Sequence, residues 1–260
     1  MPKSKTKKPT KSKPKKAAPK PKIKLVSTET ALAQLDKLAK QYPHAHCELE
    51  YKSPFELLVS TVLAAQTTDV NVNKATPALF AKYPDAQALA LAEPIDVEPL
   101  TSTLGFFRQK AKSIVMLARS IVENHGGQVP ASMAELVKLR GVGRKTANVV
   151  LGVAFKAPEG VVVDTHVTRL TQRLGWSKHK EPEKIELDLM ALLPKTEWDH
   201  VSHVLVWHGR RCCFAQKPAC DKCPVNDLCP SAFKAEKIGR KPPKKRAAKT
   251  PRRQERRRGL

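Results

Sequence analysis

Four cysteines, Cys213, Cys220, Cys223 and Cys229, fall within seventeen residues in the pattern C-x6-C-x2-C-x5-C. Thiolates this close in sequence can converge on one soft centre. By count, four sulfurs suit a structural zinc and a 4Fe–4S cluster equally well. Chance clustering of free thiols is the bland alternative, and a C-x2-C inside a four-cysteine run makes it a poor one. Cys212 leaves the first ligand open, because spacing alone cannot choose between Cys212 and Cys213.

A second constellation lies upstream. Gly141-Val142-Gly143 interrupts two helical patterns and is followed by Arg144-Lys145-Thr146-Ala147. Glycines permit a tight hairpin and leave its N–H groups uncovered. At a helix N-terminus such groups form a site for a phosphate oxygen, holding a nucleic-acid backbone without reading its bases. An ordinary glycine-capped turn explains a lone G-x-G as well. Lys145 stands one turn inside the following helix. A lysine amine attacks carbonyl-like carbons when it is neutral, although a phosphate contact is the simpler role. Asp164 follows the apolar run Val161-Val162-Val163 and precedes Thr165-His166. It can cap a helix, and a carboxylate delivered from apolar surroundings can also stabilise a developing oxocarbenium ion. The histidines have no metal-type spacing.

The elements that must position these groups are helical. A stripe of Leu32, Leu35, Leu38 and Ala39 begins near Thr28 and stops before Pro43. Ser53-Pro54-Phe55-Glu56 is a capping box with proline at the first helical position, opening a helix to Ala65. Asp69 is expected to cap a helix through Phe80, and residues 85–103 to hold two short helices. A longer helix spans 109–124 and ends at Gly126-Gly127. Ser132 opens a short helix to Leu139, and further helices are expected at 144–155, 164–174, 182–193 and 196–211. Val161–Val163 has strand propensity but no partner strand. The fold class is all-α.

The formal charge of +24 is unevenly spread. Residues 1–24 carry 11 lysines and no acids, and residues 234–260 carry 13 Lys/Arg against two acids, which leaves the body at +2. Such tails favour polyanions or simply solvate the chain; both are expected to be disordered. The basic N-terminus has no apolar segment behind it, and no run approaches the ~20 residues that span a bilayer. A soluble intracellular protein with reduced thiols is expected, which favours metal over disulfides.

Taken together, these pieces resemble the endonuclease III family. The resemblance rests on Gly141-Val142-Gly143-Arg144-Lys145-Thr146-Ala147-Asn148-Val149-Val150, Val163-Asp164-Thr165-His166-Val167, His208-Gly209-Arg210 and the cysteine run. Ser53-Pro54-Phe55-Glu56-Leu57-Leu58 and Ala65-Gln66-Thr67-Thr68-Asp69 carry it in the N-terminal half. It covers about Thr28 to Cys229, in order and without large gaps.

The resemblance implies a two-lobed helix-hairpin-helix glycosylase. Residues 50–159 would form a six-helix lobe with the hairpin, and residues 25–49 with 160–233 an iron–sulfur lobe. It implies Lys145 and Asp164 as catalytic residues and Cys213, Cys220, Cys223 and Cys229 as ligands of a 4Fe–4S cluster. Gly141, Val142, Gly143, Arg144 and Lys217 would meet the DNA backbone. Gln66 would fill the gap left by an everted base, and Phe106 would wedge the opposite strand. The implied partner is double-stranded DNA with damaged bases or abasic sites, met by a monomer in the cytoplasm at the nucleoid, or in a eukaryotic nucleus. The implied activity is removal of oxidised pyrimidines followed by β-elimination through a lysine Schiff base.

Three positions depart from the family pattern. Arg140 stands where proline is usual, Phe106 where leucine is usual, and the loop between Cys213 and Cys220 holds one basic residue, Lys217. An adenine-mismatch glycosylase would lack Lys145 and carry a further C-terminal domain. A non-catalytic DNA-binding module with structural zinc would have no use for both Lys145 and Asp164.

Overall fold

The computed structural model describes residues 23–239. Among them there are eleven α-helices and no strand. The helices are α1 Thr28–Gln41, α2 Pro54–Leu63, α3 Asp69–Lys82, α4 Ala86–Ala90, α5 Pro94–Thr101, α6 Phe107–His125, α7 Met133–Leu136, α8 Arg144–Val153, α9 Thr165–Leu174, α10 Pro182–Leu192 and α11 Trp198–Arg211. Val161–Val163 forms no strand and no helix, as its isolation predicts.

Local chemistry sets most helix starts. Ser53 Oγ accepts the Glu56 N–H at 3.2 Å, and Pro54 occupies the first turn, where its missing N–H costs nothing. Glu56 reaches back to the Lys52 N–H at 2.6 Å. Asp164 Oδ1 accepts the Val167 N–H at 2.8 Å and caps α9. The expected cap at Asp69 is displaced by one residue: Thr68 accepts the Asn71 N–H, and Asp69 becomes the first residue of α3. Its carboxylate turns to Arg210 instead, a charge-assisted partner stronger than an amide. The helix after Ser132 is a single turn ending at Leu136, shorter than the expected run to Leu139. Residues 137–142 are instead taken up by successive tight turns, Leu139 N–H to Leu136 O and Val142 N–H to Leu139 O.

Two apolar cores result. The first packs α2 to α8 around α6, whose Ile114, Leu117, Ala118 and Ile121 form one buried helical stripe. The second joins α1 to α9, α10 and α11 through Leu35, Leu38, Leu170, Ile185, Leu189 and Leu205. The chain therefore leaves the second core after α1, builds the first, and returns through Val161–Val163.

The C-terminal boundary differs from expectation. A 3₁₀ turn at Ala235–Lys237 continues the fold past 233, with Ala235 and Ile238 buried. Arg173 Nε donates to the Ile238 carbonyl at 3.0 Å. The expected disordered tails otherwise lie outside the described residues.

Candidate active site and cysteine pocket

Between the two cores runs an open cleft of about 330 Å³, lined by Gln66, Lys145, Asp164, Trp207 and Arg210 among others. Lys145 comes from α8 of the first core and Asp164 from the start of α9 in the second. Gln66 belongs to the turn after α2. Fold and sequence thus bring three of the expected residues to one cavity from separate segments. Phe106 and Lys217 lie outside it: Phe106 is 70% exposed at the start of α6, and Lys217 lines a separate surface recess with Phe233.

Gln66, Phe106 and Lys217 share a backbone peculiarity. Their φ angles are 56°, 60° and 49°, the left-handed region that non-glycine residues avoid. Each side chain is exposed at a sharp reversal of the chain. A buried lysine that the sequence reading passed over joins two of these turns. Lys110, on α6, donates to Thr67 Oγ1 at 2.6 Å and so ties the Gln66 turn to the helix that Phe106 begins. Burial holds its ammonium below the usual lysine range.

The hairpin has the expected geometry with two differences in role. Gly141 has φ +80°, and Gly143 begins α8 with open space around its Cα. No side chain caps α8, in contrast to α2, α3 and α9. The N–H groups of its first turn are consequently free for an anion. Val142, expected at DNA, is buried in the first core, and its N–H closes the turn onto Leu139. It anchors the hairpin from inside. Arg144, also expected at DNA, directs Nε to Glu186 at 2.7 Å, because a buried carboxylate is a stronger partner than water.

His166 stands where the charges of the two candidate catalytic residues overlap. Burial lowers its pKa, Asp164 opposes that shift, and Arg169, Arg210 and Lys145 reinforce it. Its Nδ1 accepts from Arg169 at 3.1 Å, as a neutral imidazole can. Gly209 makes this contact possible, since a Cβ there would lie 2.7 Å from both His166 Nδ1 and Arg169 Nη2.

The cysteine loop closes over a cavity lined by Cys213, Cys220, Cys223 and Cys229 together with Cys212 and His208, its other walls including Leu174, Ala219 and Ala232. Five thiols converge there and no carboxylate does, a donor set that suits soft iron–sulfur ligation by four of them. Two arginines from α9 hold the loop in place. Buried Arg173 donates to the carbonyls of Phe214 and Ala215 at 2.6 and 3.0 Å, and to Cys213 Sγ at 3.3 Å. Arg169 bridges the Gly209 and Cys213 carbonyls. Neither arginine was singled out by spacing, since their partners lie about forty residues away.

The two adjacent cysteines differ. Cys213 Sγ receives a charged donor, as a thiolate would, while Cys212 donates to the Ala219 carbonyl at 3.4 Å. Cys212, Cys223 and His208 nonetheless offer ligand atoms within 4.8 Å of one another. Burial pushes the Cys229 thiol up to about 11 and Cys212 up to about 12, so deprotonation there calls for a bound cation. His208 is held at about 4 by burial and stays neutral. Its Nδ1 meets Tyr42 Oη at 3.1 Å and its Nε2 meets Cys223 Sγ at 3.6 Å. Both contacts are satisfied when the Tyr42 hydroxyl donates and Nε2–H points to sulfur.

Comparison with known proteins fits this geometry. The model of the HhH-GPD superfamily base excision DNA repair proteins matches residues 59–195, and that of the iron–sulfur binding domain of endonuclease III matches residues 213–229. Endonuclease III of Synechocystis is 53% identical over 195 residues, 75% of this chain and 89% of the relative. The chain belongs to the endonuclease III family. Endonuclease III of Escherichia coli is 42% identical over 198 residues, covering 75% of this chain and 92% of the relative. The structure of a trapped endonuclease III–DNA covalent intermediate superposes with a TM-score of 0.76 at 41% identity, covering 81% of this chain and 99% of that one. A non-covalent endonuclease III–DNA complex gives 0.76 at 40% identity, covering 81% and 98%. A thermostable thymine-DNA glycosylase, at 22% identity and a TM-score of 0.72, shares the fold. Endonuclease III enzymes are bifunctional base-excision glycosylases and abasic-site lyases that carry a 4Fe–4S cluster, and this chain is one of them. No helix among the described residues is long and apolar enough to cross a membrane.

Proposed function

We propose that Lys145 is the nucleophile and Asp164 the electrostatic partner in excision of oxidised pyrimidines from duplex DNA. The observation that carries this reading is that the two groups line one cleft from opposite cores. A base must leave the stack before its sugar carbon can be reached. Lys145 Nζ then bonds to C1′ as the glycosidic bond breaks and its electron pair leaves with the base. Ring opening gives a protonated Schiff base. Loss of a C2′ proton expels the 3′ phosphate by β-elimination, and water releases the lysine. The carboxylate of Asp164 stabilises the positive charge that develops at the sugar.

The remaining roles follow from position. Gln66, exposed at the cleft, fills the space that the base vacates, and Phe106 enters the opposite strand. The free N–H groups after Gly141 and Gly143 take a phosphate, with Val142 packing beneath them. Lys217 contributes a second phosphate contact. Cys213, Cys220, Cys223 and Cys229 ligate the cluster. The charged donor on Cys213 supports its place as first ligand, as does the start of the iron–sulfur match at that residue. When bound, the cluster cross-links the loop through four iron–thiolate bonds. The enzyme acts as a monomer wherever the chromosome lies, in a nucleoid or a nucleus.

Borohydride reduction tests the reading directly. The wild type should become covalently attached to a duplex containing thymine glycol or an abasic site, and Lys145→Ala should not. A wild type that yields no adduct would overturn it.

A further inference from the structure

Glu186 is one of two buried acids among the described residues, with 6% of its side chain exposed. It projects from α10, whose Ile185 and Leu189 belong to the second core, onto α8, whose Ala147 and Val150 belong to the first. One oxygen accepts from Arg144 Nε at 2.7 Å and the other from Asn148 Nδ2 at 2.8 Å. Arg144 and Asn148 are four residues apart, one turn of the same helix face. Lys145 stands between them in sequence. The backbone accommodates this bridge closely: a Cβ on Gly160 would lie 1.9 Å from Glu186 Oε1 and 2.9 Å from Asn148 Nδ2.

The first turn of α8 has no side-chain cap. Ala147 seats this turn in the first core, and the side-chain hydrogen bonds that tie it to the opposite lobe run to this carboxylate. We propose that Glu186 is a positioning residue that fixes the Lys145-bearing turn against the opposite lobe through Arg144 and Asn148, setting where the amine meets the sugar. The proposal rests on the reading of Lys145 as the nucleophile. Arg144 then serves the attack by orienting its neighbour, in place of the phosphate contact expected of it.

The test uses the full-length, cluster-loaded enzyme and a duplex with a preformed abasic site, so base recognition plays no part. Single-turnover adduct formation is followed by borohydride trapping at saturating enzyme, alongside equilibrium affinity for the same duplex. Glu186→Gln keeps size and the Asn148 bond but loses the charge that holds Arg144. It should slow adduct formation about 10-fold with unchanged affinity, because small misplacements of a reacting group are costly in rate. Arg144→Met should slow it equally, and the double variant should be no slower than either single, since both break one contact. Visible cluster absorbance and melting temperature confirm that each variant is folded and loaded. Three results would overturn the proposal: wild-type trapping rates in Glu186→Gln, additive losses in the double variant, or affinity falling in step with rate. A wild type that traps no DNA would instead remove the Lys145 reading, and this inference with it.

Discussion

Arg210 Nη2 donates to Asp69 Oδ2 at 2.9 Å across the cleft, joining α11, which leads into the cysteine loop, to the first residue of α3. The same guanidinium also contacts Glu48, in the segment that connects the two cores. These pairs are partly exposed, so their worth to stability is about 1 kcal/mol or less. Their geometric effect is larger, because the cleft holds Lys145 on one side and Asp164 on the other. Arg210→Ala should therefore lower single-turnover lyase rate about 10-fold while shifting urea-unfolding stability little. Equal proportional losses in both measurements would contradict this division.

Asp164 caps α9 and, on the proposed reading, stabilises charge at the sugar, and one substitution can separate the two. Asparagine caps a helix about as well as aspartate, whereas alanine does not. Asp164→Asn should keep unfolding stability within about 0.5 kcal/mol of wild type, and Asp164→Ala should lose ~1 kcal/mol. Both should slow base release about 100-fold, since the charge near the sugar is gone in each. Base release from a thymine-glycol duplex, measured beside chemical denaturation, distinguishes the two duties.

Cys212 and Cys213 can be told apart by iron and sulfide analysis. Cys213→Ser should lower cluster content and visible absorbance sharply. Cys212→Ser should retain both, because its sulfur is occupied with the Ala219 carbonyl. Loss of iron from Cys212→Ser alone would reverse the ligand assignment.

His166 makes stability depend on pH. Its pKa in the fold lies below the ordinary 6.5, chiefly through burial. The unfolded chain therefore binds the proton first as pH falls, and folding stability declines from about 6.5 down through the folded pKa. Over that window His166→Gln should flatten the decline by up to about 1.4 kcal/mol per pH unit. Denaturation midpoints collected between neutral and mildly acidic pH measure this slope, and an unchanged slope in the variant would rule the mechanism out.

Local signals in the sequence were legible where the physics is local. Ser53 with Pro54, Asp164 before α9, and the glycine stop that ends α6 act within a turn or two, and each stands where the pattern puts it. Asp69 misled because two adjacent residues could cap, and the choice was made by Arg210, 141 positions away. Glu186, Arg169, Arg173 and Lys110 were invisible for the same reason, as their partners are distant in sequence. The inward turn of Val142 was not legible, because a hairpin motif marks where the backbone meets an anion without saying which side chains turn inward. The packing of Ala235 and Ile238, past the start of the basic run, goes with the Arg173 contact to Ile238 and with nothing in the tail's composition.

The left-handed backbone at Gln66 and Phe106 sets stability against purpose. Holding a non-glycine residue there costs of order 1–3 kcal/mol. Glycine at either position would ease the fold but leave nothing to occupy a vacated base's place or part the facing strand. The free enzyme is accordingly less robust than its scaffold allows, and on the proposed reading selection for thermal endurance alone would erode the very residues assigned to invade the duplex.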